Sequence, residues 1–227
     1  MSTPSPQLIE QAASLGLTLK PELPFALPSD ISSTVFEREY VMATGKARRD
    51  VEFRSGRLAA ECSLSEIGVY GPVKIADDRS PIWPTDCIGS ISHSDVYVWS
   101  ATGLTADMRS IGVDTEPIAD ELTCRSLSEE ILLPGEAQLA KQLGMDMQTA
   151  FTLVFSAKES FYKCVYQITP IFFGFHDVQV KSIDNETLTL QLSEDCPECL
   201  GGFPAIAVEY VVAKQNIFTA CWLREKP

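Results

Sequence analysis

Three short stretches of this 227-residue chain hold residue types that could do chemistry together. The first is Ile111-Gly112-Val113-Asp114-Thr115-Glu116-Pro117. On an extended strand side chains alternate, so Asp114 and Glu116 project from the same face. Two carboxylates that close repel each other unless a cation sits between them. A few hard oxygen ligands, with room left for water and phosphate, suit Mg²⁺. Taken alone, Asp-x-Glu is a weak signal and reads first as a solvated strand end. Gly112 would let a backbone or a ligand approach closely.

The second stretch is Phe155-Ser156-Ala157-Lys158-Glu159-Ser160-Phe161-Tyr162-Lys163, in which Glu159 and Lys163 stand four apart on one helix face. The two could form a surface pair of a few tenths of a kcal/mol. They could also divide the work, the carboxylate as metal ligand or base and the ammonium as phosphate partner. The third stretch is Gly89-Ser90-Ile91-Ser92-His93-Ser94, preceded by Arg79-Ser80-Pro81-Ile82-Trp83-Pro84. Ser92, His93 and a nearby arginine are the charge-assisted donors that a phosphate pocket needs. A histidine at a strand edge is otherwise structural. No Gly-x-Ser-x-Gly elbow accompanies the Ser-His pair, so it is not read as a serine hydrolase.

The elements that must position these groups follow from periodicity. Residues 1–36, punctuated by Pro4, Pro6, Pro21, Pro24 and Pro28, read as a short helix plus irregular segments. From Glu37 to about Leu64 the pattern suits a helix, with Val51, Leu58, Ala59 and Cys62 in a buried stripe. Residues 70–88 read as a loop, and 96–103 and 109–114 as strands. Helical pieces over 126–144 are broken by Pro134-Gly135, and a stronger helix runs from Met147 to Tyr166. The end is strand-rich, at 177–183, 186–192, 205–213 and 217–224. The order predicts an α+β fold of two similar halves, 1–108 and 109–227.

Joined in this order, the motifs resemble the 4′-phosphopantetheinyl transferase superfamily, in the group that includes enterobactin synthase component D. The family's Gly-x-Asp-x-Glu segment is matched by Gly112 to Glu116. Its Phe/Trp-Ser/Thr-x-Lys-Glu-Ser/Ala-x-x-Lys segment is matched by Phe155 to Lys163. The group's Arg-rich Glu-Phe-x-x-Gly-Arg segment is matched by Arg49 through Arg57. Its Pro-x-Trp-Pro and Gly-Ser-x-Ser-His segments are matched by Pro81 to Pro84 and Gly89 to His93. The matches span residues 46–163.

The resemblance implies a pseudo-twofold pair of α+β subdomains with coenzyme A, as substrate, in the cleft between them. It implies Mg²⁺, or Mn²⁺ in its place, on Asp114, Glu116 and Glu159. It places Lys163 on the pyrophosphate, and Ser92 and His93 on coenzyme A phosphates. Arg49 and Arg57, two helical turns apart, can both face the cleft, and with Arg79 they are candidates for the 3′-phosphate side. The implied reaction moves phosphopantetheine onto a serine of an apo acyl, peptidyl or aryl carrier protein, as in siderophore biosynthesis. Asp114, Glu159 and Lys163 are then the catalytic set. A non-catalytic coenzyme A-binding module and a metal-dependent phosphohydrolase are the alternatives.

Composition narrows the partners further. The net charge of -13 argues against a nucleic-acid surface. Locally, Lys46, Arg48, Arg49, Arg54 and Arg57 crowd one short stretch, as a pocket for a small phosphorylated ligand requires. No apolar run approaches the ~20 residues that span a bilayer. The start has no basic, apolar secretory pattern, so the cytoplasm is expected, and two similar halves in one chain leave less need of a partner, so a monomer is expected. Seven scattered cysteines, including Cys196 and Cys199, are read as reduced, unligated thiols. An acidic carrier would meet an acidic enzyme, so contact must be apolar or locally basic. Phe172, Phe173 and Phe175 could supply it, or could be core.

Overall fold

Asp146 accepts the Thr149 backbone N–H at 2.8 Å, satisfying a donor that the first helical turn leaves unpaired. From that cap α5 (Met147–Tyr166) runs without a break, as its periodicity predicts. Its inner face, with Leu153, Val154, Ala157, Phe161 and Val165, is fully buried. It lies on an antiparallel five-stranded sheet ordered β7-β11-β10-β9-β8. These strands are β7 (Ser110–Pro117), β8 (Val178–Ile183), β9 (Thr187–Leu192), β10 (Ile206–Ala213) and β11 (Asn216–Leu223). Alternation along β8 and β9 sends Val178, Val180, Leu188 and Leu190 into the same core. Two shorter helices, α3 (Glu121–Ile131) and α4 (Glu136–Lys141), precede α5 and meet at Pro134-Gly135, the predicted break. The structure, a computed structural model, describes residues 4–20, 26–39, 44–193 and 205–224.

The first half repeats the plan with a smaller sheet ordered β1-β2-β6-β5, again antiparallel throughout. Its strands are β1 (Leu17–Leu19), β2 (Ser32–Arg38), β5 (Cys87–His93) and β6 (Tyr97–Leu104). The 22-residue helix α2 (Gly45–Glu66) covers it, burying Leu58, Ala59 and Cys62. A short helix, α1 (Pro6–Ser14), closes the edge. Between α2 and β5 a separate two-stranded hairpin, β3 (Lys74–Ile75) with β4 (Pro81–Ile82), stands apart from both sheets.

The two sheets join where β5 meets β7. Only one edge of β7 pairs with β11. On the other, the Ser90 hydroxyl accepts the Val113 N–H at 3.1 Å and the Ser92 hydroxyl accepts that of Thr115 at 3.3 Å. Alternate serines thus fill the ladder positions that a missing strand would occupy. Gly112 lets β7 lie against α5: an added Cβ would stand 1.9 Å from the Ser160 carbonyl oxygen. The close approach expected there is to backbone.

Several expectations are corrected. The helix predicted from Glu37 begins at Gly45, because Thr34, Val35 and Phe36 pair with β6 as strand and carry Glu37 with them. The apolar stripe of that helix starts only at Val51. The segment read as irregular over 1–36 contains β1 and most of β2, and the loop of 70–88 contains the hairpin. Cys62, Cys87, Cys124, Cys164 and Cys221 are buried free thiols. Cys196 and Cys199 lie outside the described residues. No helix among the described residues is long and apolar enough to cross a membrane.

Candidate active site

Asp114 sits on β7 at the join of the two sheets, 2% exposed. Its Oδ1 accepts from Lys163 Nζ at 2.7 Å and from the Ser92 hydroxyl at 2.8 Å. Its Oδ2 accepts from the Ser156 hydroxyl at 2.7 Å. Lys163 also donates to the Val113 carbonyl at 3.2 Å and to the Ser92 hydroxyl at 3.1 Å. One helix, α5, therefore sends Ser156 and Lys163, seven residues apart and on one face, to the same carboxylate. Lys163 is bonded across to Asp114 on β7 while its side chain stays 26% exposed, which removes the simple surface-pair reading with Glu159. The Ser92 hydroxyl donates once and accepts twice, the full capacity of that group. In this arrangement it braces the Asp114–Lys163 pair, with no bond left over for the phosphate contact expected of it.

The three expected metal ligands share one electrostatic field. Burial, then the charges of Asp114 and Glu159, push the Glu116 carboxyl up to about 8, Lys163 offsetting part of the effect. Burial likewise raises Glu159, with Lys163 opposing and Asp114 adding to the rise. Burial works against the Lys163 ammonium, but Asp114, Glu159 and Glu116 together hold it above its ordinary range. Among the described residues no group of three or more His, Cys, Asp or Glu is gathered closely enough to hold a metal ion. Asp114, Glu116 and Glu159 are thus neighbours in charge without forming a preassembled cage. Their chemistry fits a hard divalent cation: oxygen donors whose mutual repulsion Lys163 relieves only in part.

A cavity of about 320 Å³ opens beside this centre. Arg49 and Arg57 of α2, Arg79 of the β3–β4 turn and His93 of β5 all line it, as their predicted grouping requires. The Arg57 guanidinium lies 4.8 Å over the Phe53 ring, its charged form disfavoured by burial. Its buried Nε has no partner among the described residues. A bound anion would answer both conditions. Burial holds the His93 imidazole below its ordinary value, although the residue as a whole is exposed. Glu52 opposes this shift, and Lys163 and Arg38 add to it.

Lys158, inside the second motif, serves another purpose that sequence reasoning did not assign. It is 1% exposed, and Nζ donates to Glu136 at 2.7 Å and to the Ile131 and Phe175 carbonyls, both at 2.9 Å. Glu136 also accepts the N–H groups of Leu133 and Val180, each at 2.8 Å. The pair ties α3, α4, α5 and β8 together. The aromatic run beyond α5 divides: Phe173 is buried and Phe175 packs on Phe155, whereas Phe172 is 81% exposed. Phe172 and Phe173 line a second, apolar cavity of about 470 Å³ that also reaches Glu159 and Tyr162.

Known proteins resemble this chain along most of its length. Residues 36–103 match the 4′-phosphopantetheinyl transferase N-terminal domain, and residues 110–217 match the 4′-phosphopantetheinyl transferase superfamily. Enterobactin synthase component D of Escherichia coli (strain K12) is 31% identical over 175 residues, 77% of each chain. The Salmonella typhi protein of that name is 34% identical over 146 residues, covering 64% of this chain and only 60% of the relative. The 4′-phosphopantetheinyl transferase PptT of Mycobacterium tuberculosis is 29% identical over 146 residues, 63% of each. With two consecutive family segments and relatives aligned over most of its length, the chain belongs to the 4′-phosphopantetheinyl transferase superfamily.

Proposed function

We propose that this chain moves the 4′-phosphopantetheine arm of coenzyme A onto a serine of an apo acyl, peptidyl or aryl carrier protein, releasing adenosine 3′,5′-bisphosphate. The observation that carries the reading is the pair Ser92-His93. Consecutive residues of one strand turn to different sites: His93 lines the arginine pocket, and Ser92 bonds the Asp114–Lys163 pair. A phosphate pocket and a charged reaction centre thus stand one residue apart, a spacing suited to the two phosphorylated ends of a single molecule.

In this reading Arg49, Arg57 and Arg79 hold the 3′-phosphate side and His93 a neighbouring phosphate. A divalent cation, Mg²⁺ or Mn²⁺, on Asp114, Glu116 and Glu159 would supply Lewis-acid stabilisation of the phosphate oxygens. Lys163 neutralises charge that grows on those oxygens as the new bond forms. Glu159, whose raised pKa suits a base, takes the proton of the attacking serine hydroxyl. The serine oxygen bonds to the phosphorus next to pantetheine, and the bond to the nucleotide phosphate breaks. All these groups come from one chain, which supports a monomer. Coenzyme A as substrate supports a cytoplasmic setting, and the relatives named enterobactin synthase support a siderophore carrier.

Arg57→Ala tests the pocket. A charge-assisted contact contributes roughly 1.5–3 kcal/mol, so KM for coenzyme A is expected to rise about tenfold or more. Dephospho-coenzyme A, lacking the 3′-phosphate, should be affected far less. Equal losses with both would place Arg57 elsewhere.

Glu116→Gln tests the acidic cluster by stability in chelator. A carboxyl raised to about 8 contributes stability below its unfolded value near 4.5, lost as pH rises through about 8. The metal-free wild type should therefore melt progressively lower from about pH 5 to pH 8, with little further change above about pH 8. The variant should be flatter, and more stable at the upper end by about 2–4 °C for each kcal/mol relieved. Parallel melting curves across that window would show that Glu116 feels no such crowding.

A further inference from the structure

The hairpin β3–β4 covers one side of the arginine pocket, to which it contributes Ile75, Arg79 and Pro81. It belongs to neither sheet, and an isolated two-stranded hairpin is marginal in water. Its turn is held unusually. Arg79 adopts a φ of 72°, in the left-handed region that a bulky side chain rarely occupies. Asp78 fixes that turn from within: its Oδ1 accepts from the Ser80 N–H at 3.0 Å and from the Ser80 hydroxyl at 2.6 Å. Its Oδ2 accepts from the Tyr166 hydroxyl, at 2.8 Å, on the last turn of α5. The hairpin of the first half is thereby fastened to the catalytic helix of the second. Tyr166 is itself oriented by stacking on Tyr162 at 5.5 Å, and Tyr162 packs on Phe173 at 5.0 Å.

We infer that Tyr166 and Asp78 are positioning residues that latch the β3–β4 hairpin to α5 and so aim Arg79 into the phosphate pocket. This rests on the functional reading above and extends it. A left-handed conformation at Arg79 persists only where its surroundings enforce it, and the Asp78 carboxylate does so beside the backbone bonds from the Ala76 N–H to Ser80 and from the Arg79 N–H to Ala76. Releasing the latch lets the turn relax and carries the Arg79 guanidinium away from the anion. Neither latch residue touches the reacting atoms, so their effect falls on binding of the phosphorylated end.

Tyr166→Phe keeps the stacked ring and removes only the hydroxyl. The experiment measures steady-state kinetics of the full-length enzyme with coenzyme A and with dephospho-coenzyme A, on an apo carrier protein. The expected result is a KM for coenzyme A raised about three- to tenfold, as for one lost hydrogen bond, with kcat within about twofold. KM for dephospho-coenzyme A should stay unchanged. Tyr166→Phe added to Arg79→Ala should cost nothing further, because both act through one contact. A wild-type KM for coenzyme A in Tyr166→Phe, equal losses with both substrates, or additive losses in the double variant would overturn the latch. Those results would leave the transferase reading intact. A wild-type enzyme that transfers nothing from coenzyme A would instead remove the reading beneath it.

Discussion

Glu159→Gln is expected to lower kcat by about 10²–10⁴-fold, the usual contribution of a general base, while KM for coenzyme A changes little. The substitution keeps the size of the side chain and its place on α5. It removes the basic oxygen and one negative charge from a centre where burial already raises Glu159. The arginine pocket is formed by α2, the hairpin and β5, so binding of the nucleotide end does not depend on it. Stability should move the opposite way from activity. An ionised carboxylate disfavoured by burial costs the folded state at neutral pH, so the variant should melt higher in the absence of metal. Under a solvated Glu159–Lys163 contact, the same change would lose a few tenths of a kcal/mol and leave kcat alone. Steady-state kinetics with a thermal melt on one preparation decide between them, and unchanged kcat would remove Glu159 from the chemistry.

Lys158→Met should be the most damaging single change to stability, at about 3–5 kcal/mol. A domain of this kind has only about 5–15 kcal/mol in total. The reason is the partner left behind: Glu136 would be a buried carboxylate with two backbone N–H bonds and no countercharge. Burial disfavours the Lys158 ammonium, and Glu136 offsets this, so the two charges are tolerated only together. The double variant Lys158→Met with Glu136→Leu should recover part of the loss, because no lone charge then remains. Urea unfolding of the two single variants and the double measures this coupling. A Lys158→Met protein as stable as wild type would mean that the pair is not closed in solution.

Much of this centre is legible from spacing because helices and strands have fixed periods. Arg49 and Arg57, eight apart, must share a face of α2, and both reach the pocket. The bounds of α5, Met147 to Tyr166, follow from the helical spacing of Phe151, Val154, Phe155, Tyr162 and Val165. What spacing leaves open is whichever contact crosses between elements. The partner of Lys163 is Asp114, 49 residues earlier, rather than the nearby Glu159. Lys158 finds Glu136 on a separate helix after a proline-glycine break. Ser92 resembles a phosphate ligand in sequence because a hydroxyl next to a histidine suits an anion. The fold uses it, with Ser90, to replace ladder bonds missing from β7, a need visible only once β7 is known to be an edge.

The measurement that tests the central claim most directly is the mass of a carrier protein. Purified apo carrier is incubated with the enzyme, coenzyme A and Mg²⁺, and the intact carrier is weighed beside a reaction containing the Glu159→Gln enzyme. The account predicts that the wild-type reaction shifts the carrier by the mass of one phosphopantetheine, lost again when its acceptor serine is replaced by alanine. Adenosine 3′,5′-bisphosphate should appear in equal amount, and the Glu159→Gln reaction should lag by about 10²-fold or more. An unmodified carrier, with the nucleotide released all the same, would contradict the account and identify a hydrolase that uses the same carboxylates.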